Sequence, residues 1–443
     1  MEAARPQIEL GQTIDRLGVG SYNIWIACLC AAVVFLDGFD AQAVGYVAPT
    51  LTKEWGLKPG QLGPVFSAGL FGIMLGALSG GPLADWIGRR WVILGSCLWF
   101  GALTIATAFA GDMTQMMLLR FLTGLGLGAA MPNAIAMVSE YSPARRRASM
   151  VMIMFCGFSL GAAFGGFAAG YLVPAYGWQS VFLAGGIAPL LFAPFLVAAL
   201  PESVRFLAAK HPSHPSIAPI LTRLGAPPPA DAAFMVAEEK AAGFPVAQLF
   251  GERRALVTVL LWVLFFMSLL DLYLLASWLP TVINGIGLDV KTAVLIAALF
   301  QIGGTFAPPL LGWTIDRIGF FGVIVCTYLA AAAAIYSLGV VGPEVVPLSM
   351  AVFAAGFGVV GGQGCANALA SSLYPTVIRG TGVGWALGIG RIGSIIGPAI
   401  GAAMLAQKLE RPSVFMISAI PALIAALMGL CIWLLKPKLN NAH

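Results

Sequence analysis

Residues 81–90 read GPLADWIGRR, and residues 312–319 read GWTIDRIG. Glycine, acid and glycine recur at the same offsets, so that Gly81, Asp85 and Gly88 correspond to Gly312, Asp316 and Gly319 by one constant shift along the chain. The same shift carries Asp40 onto Asp271, and a shift one position longer carries Gly161 and Gly165 onto Gly393 and Gly397. The chain therefore reads as a duplicated unit with an acid at the matching place in each copy. Duplicated halves around a central polar site are the plan of the large transporter folds.

What surrounds the two loops is apolar. Of 443 residues, 59% are hydrophobic and 10% charged, with 54 Gly and 28 Pro, a composition that no soluble domain of this size would carry. A membrane-spanning helix needs about 20 apolar residues. Twelve runs qualify, near 22–48, 61–82, 91–110, 113–138, 147–173, 178–200, 255–280, 291–313, 320–341, 345–371, 381–407 and 412–435. The expected fold class is an all-α membrane protein with twelve transmembrane helices in two pseudo-symmetric six-helix halves. The stretch ahead of the first span is polar and carries acids, so no cleavable signal peptide is expected there.

Between Pro201 and Arg254 the composition turns polar and holds eight prolines. We read 1–200 and 255–443 as the two halves and 201–254 as a cytoplasmic linker, within which 232–242 is expected to form a short surface helix. Placing both termini in the cytoplasm leaves only Lys53, Lys58, Lys291, Lys408 and Arg411 on the far side, and Arg120 and Arg391 within the membrane. That bias fixes the orientation. The net charge of +5 then reflects topology, and no nucleic-acid partner is read into it.

Charge inside the spans marks function by default, because a centrally placed ionisable group costs roughly 2.5–3.5 kcal/mol on insertion scales. Asp37 and Asp40, in the stretch FLDGFDAQAVGYVAPTL at 35–51, lie three apart and share a helix face, opposite Phe39, Gln42 and Tyr46. Carboxylates that close do not both ionise cheaply, so the pair is expected to hold a proton between them, with Asp40 as the principal carrier. A plainer reading has both acids neutralising Arg120. Asp271, with no intramembrane base near it in sequence, is expected to favour its protonated form, as a proton carrier or as a neutral acid bonded to a backbone carbonyl. All three histidines, His211, His214 and His443, lie in loops or the tail, so a reversible proton must ride on a carboxylate. The seven cysteines lie in apolar runs without metal-ligand spacing, and no metal or other cofactor is expected.

The duplicated loop, the 6+6 layout and the long central linker resemble the major facilitator superfamily over essentially the whole chain. More narrowly, Asp37-Gly-Phe-Asp40 with the Gln42, Gly45 and Pro49 that follow, the run RFLTGLGLG from Arg120, and GVGWALGIGRIG at 382–393 around Trp385 and Arg391 are similar to the aromatic acid:proton symporter family. That resemblance implies a secondary active transporter that imports a hydroxybenzoate-like aromatic carboxylate with protons by alternating access, in the inner membrane of a bacterium, as a monomer. It also implies a cytoplasmic latch built from Gly81, Asp85, Gly88, Arg89, Arg90 and Glu140, with Asp316 and Arg317 as the weaker counterpart. Arg391 is expected to clamp the substrate carboxylate, since a planar guanidinium matches it with two parallel hydrogen bonds. Arg120, Gln42, Gln301, Gln363, Asn367, Trp278 and Trp385 are the further candidates for contacting the ring and its hydroxyls. The main rival is a proton-coupled transporter, exporter or importer, of another small organic solute. Exporters of this fold share a GPxxGG signature in the fifth span, where this chain has Gly161-Ala-Ala-Phe-Gly165-Gly166, without the proline. Enzyme chemistry finds no nucleophile–base pair, metal cluster or phosphate loop to stand on.

Overall fold

The computed structural model describes residues 7–58, 60–229, 232–235, 249–251, 254–374 and 376–440. Twelve of its helices are long and apolar enough to cross a membrane. In the first half these are α2 (Ser21–Glu54), α3 (Gly63–Ile87), α4 (Arg89–Thr107), α5 (Met113–Tyr141), α6 (Ala144–Tyr176) and α7 (Gln179–Ala199). In the second they are α10 (Ala255–Gly285), α11 (Val290–Ile318), α12 (Phe320–Val340), α13 (Val345–Leu373), α14 (Thr376–Ala406) and α15 (Arg411–Asn440). A helix satisfies its own backbone, which hydrocarbon cannot do, so the apolar runs have no other option. Several helices run past the apolar stretches that reveal them, because their polar ends continue the hydrogen-bond ladder into the interface.

The repeat extends to packing. Helices in lipid gain nothing from burying apolar surface against each other and associate where small residues let backbones touch. A Cβ built on Gly161 of α6 would run into the Phe35 carbonyl of α2, and one on Gly38 of α2 into the Phe158 carbonyl of α6. In the second half a Cβ on Gly393 of α14 would strike the Phe266 carbonyl of α10, and one on Gly397 the Leu270 carbonyl. Phe35 maps onto Phe266 by the shift that relates the two acids, so the same notch is cut twice. Gly88 and Gly319, which turn α3 into α4 and α11 into α12, both have positive φ, 102° and 88°, where a Cβ is penalised.

The seam between the halves is sealed on the face away from the start of α2. There a Cβ on Gly45 would lie 3.0 Å from the Ala276 carbonyl, a Cβ on Gly63 would overlap the Ala402 methyl, and Ser67 donates to the Ile395 carbonyl at 3.0 Å. On the face where α2 begins, Cβ atoms at Gly81, Gly312, Gly384 and Gly388 would meet nothing within 4 Å, and the Asp85 side chain is 75% exposed.

A small cap sits on that open face, against the first half. It comprises strand β1 (Gln7–Glu9), α1 (Leu10–Arg16), α8 (Val204–Lys210), α9 (Ile217–Leu224) and strand β2 (Ala233–Met235), with β1 and β2 paired in parallel. Asp15 of α1 pairs with Arg147 of α6 at 3.3 Å, and the Arg223 guanidinium lies 5.7 Å from the Tyr22 ring centroid. The helix expected at 232–242 is corrected here: Ala233–Met235 is a strand, because the N-terminal segment, half the chain away in sequence, offers it a partner, and 236–242 lie outside the described residues.

If these glycines set the helix spacing, Gly161→Leu and Gly393→Leu should each destabilise the protein by about 1–3 kcal/mol, the usual scale of overpacking. Thermal unfolding in detergent measures this, with Gly384→Leu, in open space, as a control expected to be neutral.

Candidate functional site

A cavity of about 490 Å³, counted with the solvent it opens onto, lies between the halves. Its polar lining comes from Asp40 and Gln42 of α2, Arg120 of α5, and Tyr273 and Ser277 of α10. Val65, Phe66, Leu70 and Ile73 of α3 and Leu127 of α5 supply an apolar wall. This mixture of broad apolar surface and a few polar groups is typical of small-molecule sites. Gln42, expected on the face of α2 opposite Asp40, borders the same space as Asp40. Gln42 forms no hydrogen bond with another described residue.

The acid pair divides its labour. Asp40 accepts from Arg120 Nη1 at 3.0 Å and from the Thr104 hydroxyl at 2.6 Å. Arg120 Nη2 reaches the hydroxyls of Thr104, Thr107 and Thr123 at 3.3, 3.0 and 3.1 Å, and its plane lies 5.1 Å from the Phe182 ring centroid. Thr107 and Thr123 pass their own protons to the Leu103 and Leu119 carbonyls, each at 2.8 Å. Every hydroxyl is thus used as donor and acceptor, and among the described residues only the Arg120 Nε of this network is left without a partner. Asp37 is also buried, at 4% exposed, yet has no hydrogen bond or ion pair among the described residues. It lies within electrostatic reach of Arg391 and Asp40. No hydrogen bond joins the two acids directly: Arg120 and Thr104 hold Asp40, whereas Asp37 has no such partner among the described residues.

The second half repeats the acid but not its partner. Asp271 is 1% exposed, and among the described residues its Oδ1 has no hydrogen-bond partner, backbone carbonyls included. The repeat maps Arg120 onto Ala351 or Val352, so no arginine waits for it. The cation of this half, Arg391 of α14, sits half-buried, forms no ion pair among the described residues, and donates from Nη1 to the Tyr273 hydroxyl at 3.2 Å.

Other expected contacts fall elsewhere. Trp278 is fixed in the sealed seam, its indole N–H donating to the Pro398 carbonyl at 2.9 Å and its ring edge-on to Phe66 at 5.1 Å. Trp385 stacks on Trp262 at 5.8 Å, towards the open face. Gln301 is buried, and its amide nitrogen has no hydrogen-bond partner among the described residues. Gln363 donates to Asn367 at 3.3 Å, while its own carbonyl has no partner among the described residues. None of these five lines the cavity. Tyr273 and the three threonines were not anticipated. Tyr273 had a sequence signal, since the repeat maps Gln42 onto it, whereas nothing in the sequence brings α4 threonines to an α5 arginine.

At the open face Arg89 pairs with Glu140 at 2.7 Å and with Asp85 at 3.7 Å. Glu140 accepts from the Ser203 hydroxyl, Arg90 N–H donates to Glu202 at 3.1 Å, and the Arg90 guanidinium donates to the Val197 carbonyl. All these partners belong to the first half or the start of the linker. At the turn, a Cβ on Gly88 would strike the Glu202 carboxylate, whereas Gly81, still within α3, lies in open space. In the counterpart loop the Arg317 guanidinium lies over Trp313, 3.9 Å from its centroid, and the Asp316 side chain lies outside the described residues.

The sequence profile of the Major Facilitator Superfamily matches residues 30–398 and, in a second overlapping match, 261–442. A gallate transporter of Pseudomonas putida is 43% identical over 424 residues, 95% of this chain and 94% of that protein. The 4-hydroxybenzoate transporter PcaK of the same organism is 42% identical over 421 residues, 94% of each. The crystal structure of a D-xylose-proton symporter superposes with a TM-score of 0.70 at 18% identity, covering 93% of this chain and 98% of that one.

If Asp40 and Arg120 act as one unit, Arg120→Met leaves an acid buried without its partner and should cost about 3–5 kcal/mol. The double variant with Asp40→Asn should lose less than the sum of the two single losses. Unfolding midpoints in detergent read the comparison, and additive losses would show that the two residues do not form a unit.

Proposed function

The chain belongs to the major facilitator superfamily, and from that premise we propose that it imports a hydroxylated aromatic carboxylate together with protons by alternating access. It is a multi-pass membrane transporter rather than an enzyme. The observation that carries the finer reading is Arg391, a cation beside a central, largely apolar cavity and without a carboxylate of its own among the described residues. An unpaired guanidinium at this depth calls for an anion, and the apolar wall from α3 and α5 suits one aromatic ring. The names of the gallate and 4-hydroxybenzoate relatives support the same substrate class.

In the proposed cycle Asp37 takes the proton. While ionised it competes through its field for Arg391 across the seam; once protonated it releases that charge to the substrate carboxylate. Proton and anion then travel together because each lowers the cost of the other in low dielectric. We read both termini as cytoplasmic from the placement of Arg and Lys, in the inner membrane of a bacterium and with the protein working as a monomer. On that reading the open face is the cytoplasmic one and the molecule stands inward-open. The Asp85–Arg89–Glu140 cluster, held within one half here, would meet the second half only when the open face closes.

Proteoliposomes given an inward proton gradient should concentrate labelled 4-hydroxybenzoate, lose that ability with a protonophore, and keep it when sodium is replaced. Accumulation that survives loss of the gradient sinks proton coupling. Asp37→Asn should abolish uphill accumulation while exchange at equal pH continues. Arg391→Lys should weaken acid binding by roughly 1.5–3 kcal/mol, the scale of a hydrogen bond to a charged group.

A further inference from the structure

We infer that Tyr273 is a direct ligand of the substrate carboxylate, forming with Arg391 a two-residue donor clamp presented from α10 and α14. The inference rests on the reading of Arg391 given above and adds a residue to it.

Three observations converge. Tyr273 lines the central cavity, and Arg391, which does not itself line it, is joined to that space through its hydrogen bond to the Tyr273 hydroxyl. The Tyr273 hydroxyl accepts from Arg391 Nη1 at 3.2 Å, which occupies a lone pair of the phenol oxygen and leaves its proton to be donated. Tyr273 is 8% exposed, and its hydroxyl finds no acceptor among the described residues. A phenol O–H and the remaining guanidinium N–H groups, bonded to each other, both seek an acceptor. A carboxylate has two oxygens with which to receive them, one from each residue. A neutral ligand could accept such donors only weakly.

The repeat supports this placement. Tyr273 occupies the position that Gln42 holds in the first half, two places after the acid in each copy, and both side chains border the cavity. The scaffold thus offers one polar side chain from each half at the same depth, and the second half has made its own a donor tied to a cation.

The test is equilibrium binding of 4-hydroxybenzoate and of its methyl ester to purified protein by calorimetry. Tyr273→Phe should weaken the acid roughly tenfold, the loss of one hydrogen bond to a charged group, and leave the ester unchanged. Tyr273→Gln, which restores an N–H donor, should recover part of the loss and serves as the readout should the Phe variant fold poorly. In the Arg391→Lys background Tyr273→Phe should weaken acid binding again, because the phenol contacts the ligand itself. No further loss there would make Tyr273 a prop for the arginine and overturn the direct contact. Unchanged acid affinity, or equal loss for acid and ester, would overturn it as well. A wild-type protein that binds no aromatic acid defeats the proposed substrate class, whereas wild-type binding with an indifferent Tyr273→Phe defeats only the assignment of Tyr273.

Discussion

The close backbone approach of α2 to α6 and of α10 to α14 governs the rest of the molecule. In hydrocarbon a helix pair is held by packing and not by the expulsion of water, so a notch that admits the neighbour's carbonyl is worth more than any larger side chain. Gly38 and Gly161 interlock with Phe158 and Phe35, and Gly393 and Gly397 receive Phe266 and Leu270. These contacts fix the rotation of α2 and α10 about their axes. That rotation turns Asp40 and Gln42, and in the second half Tyr273, towards the central cavity.

On this duplicated frame the charges are deliberately unequal. The first half closes Arg120 around Asp40 with three threonines, so that cation stays neutralised however the halves move. Among the described residues the second half keeps its acid, Asp271, without a cation, and its cation, Arg391, without an acid. A rocking transporter gains from this division. On the proposed function, the pair that keeps its partner lies within one half, and the groups proposed to exchange a proton or a ligand are the unpaired ones.

The two ends of the seam use different physics. The sealed end is dry, made of glycine against backbone, Ser67 on the Ile395 carbonyl, and Trp278 edge-on to Phe66. Such contacts form only at close range and are lost together when the halves part. The open end carries the acidic and basic side chains Asp85, Arg89 and Glu140, paired with one another within the first half.

The number of spans, the duplication and its offset, and the identity of the buried charges can be read from residue order alone, because each is written in local chemistry: apolar runs, glycines at fixed spacing, acids where acids are costly. Asp40, Arg120, Gln42 and Arg391 were legible as site candidates for that reason. Which acid pairs with Arg120 was not legible, since Asp37 and Asp40 are equivalent by spacing and only the position of α4 and α5 separates them. Nor was the fate of the tryptophans. Trp278 and Trp385 look alike as aromatic candidates, yet one is bonded into the sealed seam and the other stacked on Trp262, outcomes set by helices distant in the chain. Tyr273 became visible as a partner of Arg391 only when α10 and α14 were laid together, because a side chain's hydrogen-bond partner is a property of the fold and not of its neighbours in the chain.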